Sequence, residues 1–254
     1  MKGSIEKSLI RLELARMLKT SYGLMYMGIS VGLSAFIIII NILLGPTPQT
    51  AAAAKSGEAL LGLSNPASYV LVTIYPYILP IFTILGAAGV TYFFSGDKSW
   101  GFFEYLMGSL KVKVGMIYFS YILTTLVIIA TLITVNTSVT FIAIYLYIGS
   151  IPSFFIDIIL VYTIPITVIS SLISVLAMLT WSSLSKSYPG INSPGGTGTL
   201  LGIVPILGFL FLSFKIGVTY LLIVSAVYVT GIALVFIFFF MVTVRKMANE
   251  RMIA

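Results

Sequence analysis

The chain has 254 residues, of which 59% are hydrophobic and only 8% are charged, and its mean hydropathy is +1.13. Soluble domains carry roughly 45–50% apolar and about 25% charged residues, so this composition predicts an all-α integral membrane protein. The chain contains no Cys and no His. Disulfides, thiolate chemistry and the commonest metal ligand and general base are therefore excluded. We expect no catalytic residue, bound metal or cofactor in this chain.

The N-terminal segment, 1–22, precedes the first apolar run. Its apolar side chains recur at helical spacing, at Ile10, Leu14, Met17 and Leu18. Three basic side chains within it are placed to reach lipid headgroups: Arg11, Arg16 and Lys19. The pattern predicts an N-terminal helix at the inner membrane interface. The alternative is an ordinary positively charged flank of the first span.

A helix needs about 20 apolar residues to cross a hydrocarbon core of roughly 30 Å. We predict six spans, at about 23–44, 69–94, 114–135, 157–182, 199–214 and 218–244. Together they form a single transmembrane domain that covers 1–254. The apolar stretch 139–151 is too short for a seventh span, and we interpret it as an external or re-entrant segment.

The distribution of basic residues predicts the orientation of these spans. With both termini in the cytoplasm, twelve of the fourteen Lys and Arg residues fall on the inner side, and only Lys55 and Lys215 fall outside. This excess is typical of cytoplasmic loops, so we predict a multi-pass protein of the plasma membrane. The net charge of +7 then reflects topology and attraction to the anionic headgroups of the lipid bilayer, not nucleic-acid binding.

The stretch 97–113, DKSWGFFEYLMGSLKVK, concentrates charge and aromatic residues between the second and third spans. Four apolar side chains recur in it at helical spacing: Trp100, Phe103, Met107 and Leu110. Asp97 stands at the N-terminal end and Lys111 and Lys113 at the C-terminal end, where each complements the helix dipole. The pattern predicts a short amphipathic helix at the inner membrane face. It either anchors the loop to lipid or offers its aromatic residues and Glu104 to a soluble partner.

This stretch resembles the cytoplasmic motif that follows the second span in permeases of type-2 ABC exporters. That motif has an acidic/basic cluster, then Gly-Thr-x-Glu-x-Leu-Leu, then a Pro and a basic residue. The matching residues here are Asp97-Lys98, Gly101-Phe102-Phe103-Glu104-Tyr105-Leu106-Met107, Leu110 and Lys113. Phe102, Met107 and Leu110 depart from the motif, replacing the Thr, the second Leu and the Pro. The resemblance extends to the charged N-terminal helix and the six spans, but the external helices that many members carry before the last span are missing.

The resemblance implies that 97–113 is a coupling helix, docked on an ATP-binding subunit through Trp100, Phe103, Glu104, Met107 and Leu110. It implies a permease subunit of an ATP-driven exporter, working with two copies of an ABC ATPase and with a second permease subunit, identical or paralogous. Because the chain carries no ATP-binding motif, ATP and Mg would be bound by the partner ATPase. The scarcity of charge in the spans favours a hydrophobic or amphipathic substrate.

Four residues are candidates for a translocation path: Tyr75, Pro76, Pro80 and Asp157. The two prolines would bend the second span toward a cavity, with simple helix packing as the alternative. Asp157 lies near the outer end of the fourth span, where it would cap the helix, lie at the interface, or bind substrate or a proton. The tripeptide 136–138 also matches a glycosylation acceptor, a pattern that is common by chance.

Three other functions are alternatives to an exporter subunit. A secondary transporter or channel usually places ionisable residues within its spans, and only Asp157 approaches that position. An intramembrane enzyme would need a metal site or paired intramembrane carboxylates, which the sequence does not offer. The third alternative is a non-transporting assembly or immunity subunit, which would not co-purify with an ATPase.

Overall fold

The computed structural model describes residues 2–44, 66–99, 101–180, 194–213, 216 and 218–249. All regular structure within these ranges is helical, and they contain no strand. The all-α class predicted from composition is therefore confirmed for the described part of the chain.

Ten α-helices and two π-helical turns follow one another in these ranges. The first half contains α1 (Lys2–Lys19), α2 (Ser21–Leu44), α3 (Pro66–Tyr69), a first π-helical turn (Val70–Ile74), α4 (Tyr75–Ser99) and α5 (Phe102–Gly108). The second half contains α6 (Val114–Ile148), α7 (Ser153–Ile158), a second π-helical turn (Ile159–Thr163), α8 (Ile164–Thr180), α9 (Pro194–Ser213) and α10 (Val218–Asn249).

Five helical runs among the described residues are long and apolar enough to cross a membrane. They are Ser21–Leu44, Ala67–Phe94, Gly115–Ile148, Ser153–Ala177 and Tyr220–Val242. These runs correspond to five of the six predicted spans and support a membrane-embedded protein. The predicted fifth span, 199–214, corresponds to the shorter apolar helix Thr199–Ser213, which falls below the roughly 20 residues needed to cross.

The helix that contains the third predicted span is longer than that span, because α6 has 35 residues. At 1.5 Å per residue it is about 52 Å long, so at least one end projects beyond a hydrocarbon core of roughly 30 Å. The helix continues through 136–148 because that stretch contains neither Gly nor Pro. It stops at Gly149, whose φ of 84° suits glycine at a helix C-terminus. The re-entrant alternative for 139–151 was therefore wrong, and the external alternative stays a prediction.

The second and fourth spans share an unusual local feature. In each, a π-helical turn lies just before a proline, Pro76 in one and Pro165 in the other, and the two sequences read VLVTIYP and ILVYTIP. At the end of each turn a backbone N–H donates to the carbonyl five residues back: Tyr75 to Val70, and Ile164 to Ile159. A proline cannot donate to the helical ladder, and a wider turn beside it changes the register of the remaining bonds.

The second span occupies the centre of the bundle. Helices α2, α6, α8 and α9 all pack on α4, and most of Ala67–Phe94 is buried. By contrast, α2 and α10 are peripheral and keep large apolar side chains such as Phe36, Leu43 and Phe238 exposed. Such faces suit contact with lipid tails, which do not penalise exposed apolar surface. Movement of α4 would therefore displace the helices that pack on it.

Candidate functional site at the α1, α4 and α6 junction

A partly buried ion pair joins the N-terminal helix to the end of the second span. Arg16 Nη1 on α1 lies 2.5 Å from Asp97 Oδ2 on α4, although the two residues are 81 positions apart. The same nitrogen lies 3.2 Å from Glu13 Oε1, one turn earlier on α1. One guanidinium therefore serves two carboxylates.

Tyr121 on α6 completes this cluster, which we call the junction cluster: Glu13, Arg16, Asp97 and Tyr121. The Tyr121 hydroxyl donates to Asp97 Oδ2 and also lies 3.3 Å from Glu13 Oε1. Glu13 and Tyr121 are each only 2% exposed. Because a hydroxyl carries one proton, Tyr121 can donate to one carboxylate at a time. The junction cluster ties three helices together at a single point.

The junction cluster carries a net negative charge when both carboxylates are ionised. Burial raises the pKa of Glu13 from its ordinary 4.5 to about 7, with the Arg16 charge opposing the shift and the Asp97 charge adding to it. Burial disfavours the charged form of Arg16 too, but the hydrogen bond that Arg16 donates to Asp97 and the Glu13 charge hold the pKa of Arg16 above its ordinary value. The guanidinium therefore stays positive, and Glu13 is the group whose charge changes near neutral pH.

Aromatic rings connect the junction cluster to the short helix α5. The Arg16 guanidinium lies 4.8 Å from the centre of the Phe93 ring, within cation–π range. Phe94 packs against both Phe103 and Tyr121, at centroid distances of 5.1 and 4.9 Å, and Phe103 lies 5.8 Å from Tyr121. Phe103 therefore fastens α5 to the same point that holds α1 and α4 together.

The structure divides the predicted helix 97–113 into three parts. Residues 97–99 belong to the end of α4, α5 runs only from Phe102 to Gly108, and residues 109–113 connect it to α6. Asp97 consequently does not start α5, as the helix-dipole argument expected, but pairs with Arg16. Arg16 likewise turns into the bundle and not toward lipid headgroups. The break at Gly101, with φ of 73°, explains why a single helical period could not extend across the stretch.

The predicted docking residues do not share one exposed face. Phe103 is buried in the chain's own bundle, Met107 is half-buried, and Leu110 is exposed but lies beyond the end of α5. Trp100 and the side chain of Glu104 lie outside the described residues. The outward side of α5 instead presents Tyr105, a residue that the apolar periodicity did not single out.

Three of the four candidates for a translocation path lie inside the bundle. Tyr75, Pro76 and Pro80 are buried, and the Tyr75 hydroxyl donates to the backbone oxygen of Ser34 at 3.2 Å. The Pro76 oxygen accepts a hydrogen bond of 3.0 Å from Thr163 Oγ1. Pro80 has no N–H to donate to this carbonyl four residues back, so the hydroxyl of the fourth span replaces the missing donor. These contacts are those of helix packing, the alternative to a bend around a cavity.

Asp157, unlike the other three candidates, is exposed. It is the fifth residue of α7, whose N-cap is Pro152 and which has no side-chain cap. The capping interpretation was therefore wrong, because α7 begins earlier than the predicted span at 157. An interfacial position is compatible with the exposed side chain.

A second polar cluster escaped the sequence interpretation altogether. Asn136 Nδ2 on α6 lies 3.1 Å from Ser30 Oγ on α2 and 3.3 Å from Thr83 Oγ1 on α4. Asn136 is fully buried, so the tripeptide match to a glycosylation acceptor was misleading. A lone Asn within an apolar run is the signal that could have indicated a polar contact between spans.

Comparison with known proteins gives no relative for this chain: no protein-family model, no curated protein and no solved structure matches it. Within the described ranges, no group of three or more Asp and Glu side chains is arranged to hold a metal ion. The geometry of the junction cluster and of α5 is therefore the basis for a functional assignment.

Proposed function

We propose that this chain is the membrane-spanning permease subunit of a type-2 ABC exporter, which moves a hydrophobic or amphipathic substrate with energy from a separate ATPase subunit. The observation that carries the proposal is the position of α5, a short helix between two spans that is fastened to the junction cluster. It agrees with the sequence motif at 97–113 that resembles the coupling helix of that family. In this proposal α9 supplies the fifth of six spans.

The contacts of α5 give it a route to the whole bundle. Phe103 packs on Phe94 of α4 and on Tyr121 of α6. Helices α2, α8 and α9 in turn pack on α4. A displacement of α5 would therefore move the central helix, not a loop alone. In the proposed cycle, ATP-driven closure of two ATPase subunits displaces α5 in each of two permease subunits and shifts the bundles between inward- and outward-facing states.

The surface that would meet the ATPase is the outward side of α5 and the connection that follows it. Tyr105, Leu110, Lys111 and Lys113 are exposed there. Met107 borders this surface, and Trp100 and Glu104 remain proposed contacts from the family resemblance. An exposed aromatic side chain on α5, followed by two exposed lysines in the connection to α6, suits a partner groove with an apolar centre and an acidic rim. Phe103 is not part of this surface; it is buried and fixes α5 to the bundle.

Co-purification with the ATPase tests this proposal, and two tyrosines provide a matched pair of variants. Tyr105 is 56% exposed on α5, and Tyr145 is 59% exposed near the other end of α6. We expect Tyr105→Ala to lower the recovery of the ATPase several-fold and Tyr145→Ala to leave it unchanged. Glu104→Lys should also lower recovery by reversing a charge in the contact.

Three results would count against the permease assignment. Equal recovery with both tyrosine variants would place the ATPase contact elsewhere than on α5. Absence of any ATPase from the wild-type preparation would favour a secondary transporter or a non-transporting subunit. Transport by the purified chain alone, driven by an ion gradient, would select the secondary transporter.

A further inference from the structure

We propose that the junction cluster is a binding site for one exchangeable proton, and that this proton controls how tightly α1 is held against α4 and α6. Glu13, the group assigned the proton below, lies outside the membrane-spanning runs, on the helix that precedes the first span, and Tyr121 lies within the run Gly115–Ile148. The inference goes beyond the permease assignment, because it depends only on the buried groups and can be tested on the purified chain.

The charge count of the junction cluster favours one bound proton. Arg16 contributes one permanent positive charge, and Glu13 and Asp97 contribute two carboxyl groups. Tyr121 contributes a neutral donor. The cluster is therefore neutral with one carboxyl protonated and carries a net negative charge with both ionised. An uncompensated charge is costly to bury, so the fully closed arrangement favours the protonated state.

The geometry assigns the proton to Glu13. Asp97 Oδ2 receives both the 2.5 Å bond from Arg16 and the Tyr121 hydroxyl bond. Glu13 has longer contacts to the same donors, 3.2 and 3.5 Å to Arg16 Nη1 and 3.3 Å to the Tyr121 hydroxyl. The carboxylate with the weaker donors gains least from being ionised. The raised pKa of Glu13, about 7, agrees with this assignment.

The neighbours of Glu13 come from three helices. The charged and titratable groups that act on it are Arg16 from α1, Asp97 from α4 and Tyr121 from α6. Helix α2 also packs on α1, but its tyrosines near this end face another ring: Tyr22 and Tyr26 pack on Tyr92. Lys19 and Arg11, two further basic residues of α1, are exposed.

Loss of the proton would weaken the packing of α1 on α4 and α6, and the Arg16–Asp97 pair would oppose this movement because Arg16 lies on α1. Leu9 and Met17, four residues before and after Glu13 on α1, belong to a buried apolar core that also contains Phe93, and Glu13 itself is buried. Once ionised, it gains free energy by moving toward water, and only α1 can carry it there. The packing of α1 against α4 therefore weakens as pH rises through about 7.

Infrared spectroscopy of the purified full chain in detergent micelles measures this proton directly, through the carbonyl stretch of a protonated carboxyl group. We expect the wild type to lose one buried carboxyl band per chain as pH rises from about 5 to 9, with a midpoint near 7. In Glu13→Gln that band should be absent at every pH. The Gln side chain is neutral and of similar shape, so it imitates the protonated state and should fold.

Two further variants identify the source of the band. Asp97→Asn removes the competing negative charge, which leaves Glu13 paired with Arg16 alone, so the midpoint should fall by on the order of one to three pH units. Asp157→Asn, which alters an exposed carboxyl, should match the wild type. A band that persists in Glu13→Gln, or a wild type with no carboxyl titrating above pH about 6, would overturn the proposal.

Discussion

Arg16 is the residue on which the junction of α1, α4 and α6 depends. Its Nη1 atom contacts Glu13 and Asp97, and its guanidinium lies against the Phe93 ring. Removing one partner of a buried ion pair costs more than the pair itself contributes, because the remaining charge stays desolvated. Here two carboxylates would be left behind.

We expect Arg16→Gln to destabilise the folded protein by about 3 kcal/mol, because Glu13 and Asp97 lose their only cation in the cluster. Thermal unfolding in detergent provides the measurement. Arg11→Gln, an exposed basic residue on the same helix, is the control and should change little. A loss of stability that is equal in the two variants would contradict the role of Arg16.

Stability should also depend on pH through Glu13. The pKa of Glu13 in the folded protein, about 7, lies above its ordinary 4.5, so between these values the folded state binds more protons than the unfolded state. The stabilising contribution is therefore complete below pH about 4.5 and is lost as pH rises through about 7. We expect the melting temperature of the wild type, relative to Glu13→Gln, to fall across this window. A difference that does not vary with pH would contradict the prediction.

At the scale of helices, a hydroxyl group of one span replaces the backbone donor that a proline removes from another span. The fourth span carries buried hydroxyl residues about one turn apart, at Thr163, Thr167, Ser170 and Ser174. Thr163 donates to the Pro76 carbonyl that Pro80 leaves without a donor, and Ser174 faces the close approach of α9 at Gly202. These two positions define where the fourth span meets its neighbours.

A double-mutant cycle tests the match between Thr163 and Pro80. Thr163→Val removes the donor to the Pro76 carbonyl and should cost about 1 kcal/mol, as measured for polar contacts between membrane helices. In a Pro80→Ala background the new N–H of residue 80 can bond to that carbonyl, so Thr163→Val should then cost less. Thr131→Val is the control, since Thr131 is exposed and bonds only within α6. Equal costs in both backgrounds would show that the two positions are independent.

The approach of α8 and α9 depends on the absence of a side chain at Gly202. A Cβ there would meet Ser174 Oγ and would lie 2.5 Å from the backbone oxygen of Ser170, which cannot move without displacing α8. We expect Gly202→Ala to cost about 1–3 kcal/mol of stability. Gly28→Ala is the matched control, because a Cβ at Gly28 meets nothing within 4 Å. Thermal unfolding of both variants would show whether only the packed glycine resists substitution.

At the scale of the whole molecule, α6 is long enough to place its two ends on opposite sides of a membrane. Ser109 lies in the connection before α6, beside Lys111 and Lys113, and Ser150 follows its last turn. Both serines are exposed. The basic residues favour a cytoplasmic position for the Ser109 end.

Single cysteines at these two serines test the topology without background, because the chain has no native Cys. We expect Ser150→Cys to react with an impermeant thiol reagent applied outside the cell. Ser109→Cys should react only after permeabilisation. Labelling of both from the same side would rule out α6 as a span, and the reverse pattern would place α5 outside and reject its contact with a cytoplasmic ATPase.

The amino-acid sequence by itself determined the class of this protein and the positions of most of its spans. Apolar runs of membrane-crossing length are local properties, since a helix satisfies its own backbone hydrogen bonds within the segment. Local patterns were less informative about where helices end. The absence of Gly and Pro between Asn136 and Ile148 was visible in the sequence, yet apolar length alone ended the third predicted helix too early.

Tertiary structure decided which polar residues matter and which way they face. The pairing of Arg16 with Asp97, and of Thr163 with Pro76, joins residues 81 and 87 positions apart, and no periodicity within one helix encodes such contacts. The direction of Phe103 was decided in the same way, because an amphipathic period gives the spacing of a face but not the surface that covers it. Phe94 and Tyr121 cover Phe103, so the bundle itself buries the residue that the sequence assigned to a partner.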